Sequence, residues 1–306
     1  MQRRQFQLAV LASTALVGMP LRVRAQAQAQ TQAQDTPKVG RFTSEKRAYV
    51  TNNFWVEGND ACVMFDTQFL PSDAMKSAYA AQKATGKAVK TAVVLHPNPD
   101  KFNGTTLLQS RGARVLTSAQ VAATIPAVHD IRLGWFYKDY QPDYPKEAPK
   151  PSVFGNSTQT LKLHGLDVTL HALGGAGCSA AHVCAQVGDA LFVGDLLTNR
   201  GHAWMELALF DEWQARLDEV RRLSQSGGVR RIFVGRGEPG GLELIAQTQF
   251  YLQKVNAIVQ AEKPKGELGF LKRRSLKGSI TDAFPGYEWD GFVHESLPEI
   301  WKKFAV

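Results

Sequence analysis

His96-Pro97-Asn98-Pro99-Asp100-Lys101-Phe102-Asn103-Gly104 follows directly on the continuous apolar run from Thr91 to Leu95. A run of that kind reads as a buried strand, so this polar, histidine-led stretch stands where a buried strand ends. Working outward, the flanking sequence alternates between strand and helix. Upstream, Phe54-Trp55-Val56 and Cys62-Val63-Met64-Phe65 flank the turn-forming Glu57-Gly58-Asn59-Asp60, which predicts a hairpin. Ser72 to Thr85 is Ala-rich and stops at Gly86, which predicts a helix.

Downstream, a helix at Thr105 to Ser110, a strand at Val115-Leu116 and a helix at Ser118 to Ile125 continue the alternation. Such alternation argues for an α/β layered architecture. Tyr137 to Pro151 holds Pro142, Pro145, Pro149 and Pro151 and is expected as an extended loop over a pocket. Thr160–Leu163, Asp167–Leu173, Val183–Val187 and Ala190–Val193 are closely spaced strands of a second, more antiparallel half. A helix from near Asp211 to near Gly227, a strand at Arg231 to Val234, and a helix marked by Leu242, Ile245, Leu252, Val255 and Val259 complete the pattern. The aromatic and acidic stretch from Phe284 to Trp301 reads as a final helix packed on the domain. No repeat of 20 to 50 residues is visible.

The stretch at His96 resembles the His-x-His-x-Asp-His signature of the metallo-β-lactamase superfamily, in its His-Pro-His-Pro-Asp-His-Phe-Asn-Gly form. The resemblance extends in order through Phe65-Asp66-Thr67, Gly194-Asp195-Leu196-Leu197 and Gly235-Arg236-Gly237-Glu238-Pro239, covering roughly residues 50 to 260. It implies a four-layer αβ/βα sandwich and a two-metal site, with imidazole and carboxylate ligands at about 2.0–2.2 Å from zinc and a water made nucleophilic at neutral pH.

Of the metal-ligand positions implied by the resemblance, His96, Asp100 and Asp195 are retained. Asn98 and Lys101 replace the second and third histidines, Cys178 in Gly177-Cys178-Ser179 takes another, and Arg236 takes the last. Lys101 and Arg236 fall in the half that keeps Asp100 and Asp195, and two cations facing two carboxylates replace the charge of a divalent metal. Neither cation has a lone pair for a metal at neutral pH. The other half offers His96, Cys178 and the amide of Asn98, with His182 as a further donor. Cys178 reads as an inert buried thiol or a partner of Cys184, or else as a thiolate activated by Lys101 and Arg236. His202 is expected at the pocket opening by the same resemblance.

Three further features set the context. Residues 1–27, with Arg3-Arg4-Gln5-Phe6, an apolar run from Leu8 to Leu21 and small residues around Ala25 and Ala27, read as a cleaved secretory signal that resembles the twin-arginine type. A Gln/Ala-rich linker spans 28–38 and a single domain spans 39–306, which places the protein in the periplasm or outside the cell, with no stable membrane span after cleavage. The net charge is +8, but Arg3, Arg4, Arg22 and Arg24 fall in the signal and leave +4, too little to argue for nucleic acid. The local cluster Lys272, Arg273, Arg274 and Lys277 reads as a solvated patch before an anion or membrane contact.

Together these readings predict an exported, metal-free binding or regulatory protein on a hydrolase fold, with an anionic small molecule in a pocket formed by Asn98, Lys101, His182, His202 and Arg236. The competing expectation is a rebuilt hydrolase, with one zinc or iron ion on His96, Cys178 and a third ligand, or with cysteine chemistry at Cys178.

Overall fold

The computed structural model describes residues 36–305; the expected signal at 1–27 and the linker as far as residue 35 lie outside the described residues. Strands β1 (Val39–Thr43), β2 (Asn52–Glu57), β3 (Cys62–Phe65), β4 (Val89–Val93), β5 (Arg114–Thr117) and β6 (Ser152–Val153) form one sheet in chain order. The predicted hairpin is β2–β3, antiparallel, with Trp55 opposite Met64; from β3 onward the sheet is parallel. The second sheet has the order β11-β10-β9-β8-β7, built from β7 (Gln159–Leu163), β8 (Leu166–Ala172), β9 (Val183–Val187), β10 (Ala190–Gly194) and β11 (Arg231–Val234). It is antiparallel through β10 and closes with a parallel β10–β11 pair.

Helices α1 (Pro71–Thr85), α2 (Pro99–Phe102), α3 (Thr105–Ser110) and α4 (Ala119–Tyr140) follow strands of the first sheet. Helix α1 begins with Pro71, whose missing N–H costs nothing in the first turn, and ends at Gly86 in the left-handed region. Helices α5 (Phe210–Ser226), α6 (Glu243–Ala261), α7 (Phe270–Ala283) and α8 (Asp290–Phe304) cover the second. Two cores result. Ala74, Ala81, Val121 and Ile125 of the first helices pack with the strands of both sheets. Trp213, Leu217, Leu252, Val255, Leu276, Leu297 and Ile300 pack the later helices on the second sheet. Every residue of β3 and β10 is buried because both faces are covered, which is why those strands read as unbroken apolar runs. Between the sheets, Phe65 stacks on Phe192 with centroids 3.8 Å apart, and Phe192 on Phe233 at 4.9 Å; such pairs contribute about 0.5–1.5 kcal/mol beyond area burial. The expected αβ/βα sandwich is the observed architecture.

One expectation is corrected. The helix expected at Ser118 to Ile125 continues to Tyr140, through Pro126 and into the stretch assigned to a loop. Val121, Ile125, His129 and Arg132, three to four residues apart, bury one stripe across the proline, and tertiary packing overrides the lost hydrogen bond. The final helix expected between Phe284 and Trp301 is α8, packed on the second sheet as expected, and α7 precedes it and packs beside it.

The two sheets are joined at one end by backbone bonds. Val183 N–H donates to Leu95 O at 2.7 Å, and Asn52 N–H donates to Gly235 O at 2.8 Å. His96 after β4, Asp195 after β10 and Arg236 after β11 therefore emerge at the same rim. Among the described residues, no helix is long and apolar enough to cross a membrane.

Candidate functional site

At that rim Asp100, Lys101, Asp195 and Arg236 form a closed ring of alternating charge. Lys101 Nζ lies 2.9 Å from Asp100 Oδ2 and 2.9 Å from Asp195 Oδ1. Arg236 Nη2 donates to Asp100 Oδ2 at 2.7 Å, and Arg236 Nη1 donates to Asp195 Oδ2. All four residues are buried, Lys101 completely. Burial opposes ionisation of Asp100, but the Lys101 and Arg236 charges outweigh it and hold the carboxyl well below the usual carboxylate range. Asp195 is depressed against burial by Arg236 and then Lys101. Lys101 is raised against its own desolvation by Asp100 and Asp195. Each group thus stays ionised because the others do, and the ring carries no net charge.

A strained loop supports the ring. Arg236 Nε donates to Tyr49 O at 3.0 Å, and Arg236 Nη2 also donates to Thr51 Oγ1 at 3.1 Å, while Thr51 Oγ1 donates to Asp100 Oδ2 at 3.1 Å. Tyr49 and Val50 have φ of 65° and 50°. Positive φ is costly for a β-branched residue such as Val50, and the bonds to Arg236 on either side of it hold it there. Gly235 has no room for a side chain: a Cβ there would overlap the Asp195 carboxylate and lie 2.8 Å from Lys101 Nζ. Beneath the ring, Asp66 Oδ1 accepts from Leu95 N–H at 2.9 Å, and burial pushes the Asp66 carboxyl up to about 8.

The second half of the site is neutral. His96 Nε2 accepts from the Asp195 backbone N–H at 3.2 Å, so the ring proton sits on Nδ1 and faces Ser179 Oγ at 3.0 Å. Burial lowers the His96 pKa to about 4. His182 Nε2 accepts from Ser179 N–H at 3.2 Å, and burial pushes His182 well below the ordinary histidine range. Cys178 Sγ lies 4.0 Å from His182 Nε2. Burial pushes the Cys178 thiol well above its ordinary value, with the Lys101 charge too weak to reverse it. Of the alternatives the sequence left for Cys178, burial favours the inert buried thiol over the activated thiolate, and Cys178 and Cys184 are both free rather than paired. The ligand atoms of His96, Cys178 and His182 nevertheless lie within 4.8 Å of one another.

Above the ring opens a small vestibule lined by Tyr49, Phe69, Phe136, Trp204 and Phe292, with Asn98, Pro99, Asp100, Asp195 and Arg236 at its base. Its volume is about 50 Å³, room for a water or two rather than for a ligand of several rings. Arg132 closes one side, paired with Glu206 and set 3.9 Å from the ring centroid of Trp135. Of the residues expected to form the pocket, Asn98 and Arg236 line this vestibule, whereas Lys101 and His182 are sealed beneath it. His202 is not at the opening: its Nδ1 lies 3.1 Å from the Tyr251 hydroxyl, among Phe284 and Tyr287. Tyr251 of α6 and Phe284 and Tyr287 of the α7–α8 connection hold it there.

Thr51, Ser179, Arg132 and the vestibule aromatics escaped the sequence reading. Ser179 adjoined a singled-out cysteine, so its position carried a signal. Phe136 and Arg132 were hidden by ending the helix at Ile125, and Phe292 by treating the C-terminal region as packing alone.

The model of the family described as metallo-beta-lactamase superfamily matches residues 47–235. No curated protein matches the chain in sequence. Among solved structures, a metallo-beta-lactamase from Pontibacter korlensis is 17% identical, with a TM-score of 0.56 over 71% of this chain and 99% of that one. The FIM-1 metallo-beta-lactamase from Pseudomonas aeruginosa, in its mono-zinc form, is 16% identical, with a TM-score of 0.53 over 71% and 89%. At these identities the structures establish a shared fold. With the family model spanning more than half of its length, the chain belongs to the metallo-β-lactamase superfamily.

Proposed function

We propose that this protein is a non-hydrolytic member of its superfamily, a binding or regulatory protein in which an ion-pair ring stands where relatives hold metal. The observation that carries this reading is the closed Asp100–Lys101–Asp195–Arg236 ring. A two-metal centre does not fit these residues. The Lys101 ammonium and Arg236 guanidinium offer no lone pair, and Asp100 Oδ2 is already taken by Lys101, Arg236 and Thr51. Without a Lewis acid the site has no evident group to activate water: His96 is turned to Ser179 and the Asp195 backbone, and Cys178 is protonated.

The ring also bears on ligand class. An anionic ligand was expected because of Lys101 and Arg236, but each of these faces two carboxylates and neither is left to attract an anion. The aromatic lining of the vestibule favours a small uncharged or apolar group over an anion. The sequence of residues 1–27 supports export to the periplasm or beyond.

The test is an assay of lactam, ester, thioester and lactone hydrolysis with excess zinc. We expect no turnover from the parent protein, and none from Lys101→His combined with Arg236→His, because Asn98 and Cys178 still leave the other half-site short of ligands. Zinc-dependent turnover by either protein overturns the reading.

A second reading has one observation in its favour, the convergence of His96, Cys178 and His182. It places a single zinc or iron ion there. Binding requires a thiolate and both imidazole lone pairs, all now engaged in protonation or hydrogen bonds. Metal retained by the parent protein and lost in both Cys178→Ala and His182→Ala would establish this alternative.

A further inference from the structure

Phe270 and Leu271 open helix α7 and are 71% and 78% exposed, more than any other large apolar side chain among the described residues. Folding ordinarily spares neighbouring aromatic and aliphatic side chains this exposure, and adjacent exposed apolar residues mark a contact surface. Here nothing in the fold requires it. The helix is anchored through Leu276 and Ile280, both fully buried, one and two turns further on. Its first turn projects beyond that anchor.

The surroundings define the partner. The segment 262–277 carries six cationic side chains against Glu262 and Glu267. Lys272 pairs with Glu262 at 2.7 Å, Arg273 with Glu295 at 3.3 Å and Lys277 with Asp290 at 2.6 Å. Lys263, Lys265 and Arg274 are exposed and form no ion pair among the described residues. Lys263 and Gly266 adopt positive φ, 51° and 56°, which turns the approach to α7 sharply. An apolar tip of two residues with unpaired lysines and arginine around it matches the two-part chemistry of interfacial binding, in which apolar side chains enter the headgroup boundary and cations meet anionic lipid.

We propose that this corner of the molecule docks on an anionic phospholipid surface, with Phe270 and Leu271 inserted at the headgroup level and Lys263, Lys265 and Arg274 contacting phosphates. The contact is peripheral and reversible, and none of its residues belongs to the ion-pair ring or lines the vestibule above it. It is independent of the reading given for that ring.

The experiment is co-sedimentation of the protein with vesicles of phosphatidylcholine alone and of phosphatidylcholine with phosphatidylglycerol, at low salt. We expect binding to the anionic vesicles, a loss of about tenfold or more with Phe270→Ser plus Leu271→Ser, and weakening by added salt. Phe270→Trp should show a blue-shifted emission on anionic vesicles only. These side chains are exposed, so circular dichroism should be unchanged in each variant. Three outcomes overturn the proposal: no binding to anionic vesicles, equal binding to neutral ones, or undiminished binding of the double serine variant, which would mark non-specific attraction by net charge. Saturable binding of an acidic protein to the tip without any vesicle binding would assign the surface to that partner instead.

Discussion

The two halves of the site keep their buried polar groups in opposite ways. In one, Lys101 and Arg236 bring fixed positive charge to Asp100 and Asp195, so the carboxylates remain ionised and paired. In the other, His96 and His182 are held below the ordinary histidine range by burial, and His96 bonds to Ser179 and the Asp195 backbone while His182 Nε2 bonds to the Ser179 backbone. The difference follows from what each half must compensate. A buried ionised carboxylate without a counter-charge costs several kcal/mol, so the two ionised acids of the ring are kept with cations. A buried imidazole or thiol shifts its pKa and becomes neutral, so no cation is needed.

That contrast is broken most forcefully by removing one cation. Lys101→Met should leave two buried carboxylates sharing Arg236 and lower the unfolding free energy by about 3–5 kcal/mol in urea titrations. Combining it with Asp195→Asn should recover part of that loss, because the uncompensated charge goes with it. A Lys101→Met protein as stable as its parent would mean that the ring is incidental.

A second prediction sharpens the contrast through pH. Asp66 lies beneath the ring with its folded pKa pushed up to about 8 by burial. From about 4 to about 8 the folded protein holds a proton there that the unfolded chain has lost, so stability should fall as pH rises through that window, by up to about 1.4 kcal/mol per pH unit. His96 acts with the opposite sign. Its folded pKa of about 4 means that the unfolded chain binds the extra proton between about 4 and 6.5, and stability rises with pH there. Above about 6.5 the His96 contribution ends and the Asp66 slope stands alone. Asp66→Asn, which keeps an oxygen for the Leu95 N–H, should flatten the denaturation midpoint between pH 6.5 and 8. An unchanged slope would place the carboxylate in a better-solvated setting than this one.

The smallest effect is expected in the neutral half. Cys178→Ala deletes an uncharged buried thiol and should cost about 1 kcal/mol. Titration of the parent thiol with a maleimide should show no reactivity at pH 7, in keeping with a thiol raised by burial. Rapid modification of Cys178 would restore the activated-cysteine expectation.

Much of this was legible in the sequence for a physical reason. Period and turn chemistry give the strands from β2 to β5 and from β7 to β11 within a residue or two, and β3 and β10, buried on both faces, show it in their composition; the first sheet's edge strands β1 and β6, with no buried residue, carry no such signal. The pairing of Lys101 and Arg236 with Asp100 and Asp195 was readable because charges of opposite sign replaced ligands in one half of a known pattern. What depended on the fold was illegible. Desolvation decides the Cys178 thiol, and no sequence position reports its burial. The vestibule joins Tyr49, Phe136, Trp204 and Phe292, which are far apart in the chain. Helix α4 outruns its proline because residues on its buried stripe, not its local propensity, set its length.

The central claim is that the ring stands in place of metal, and elemental analysis tests it most directly. The protein would be expressed with zinc and iron supplied, purified without chelator, and measured by mass spectrometry of the metals against protein concentration. The ion-pair account predicts less than about a tenth of an equivalent of any transition metal. About one equivalent or more, retained through dialysis, would contradict it, and its loss in Cys178→Ala would place the ion in the neutral half.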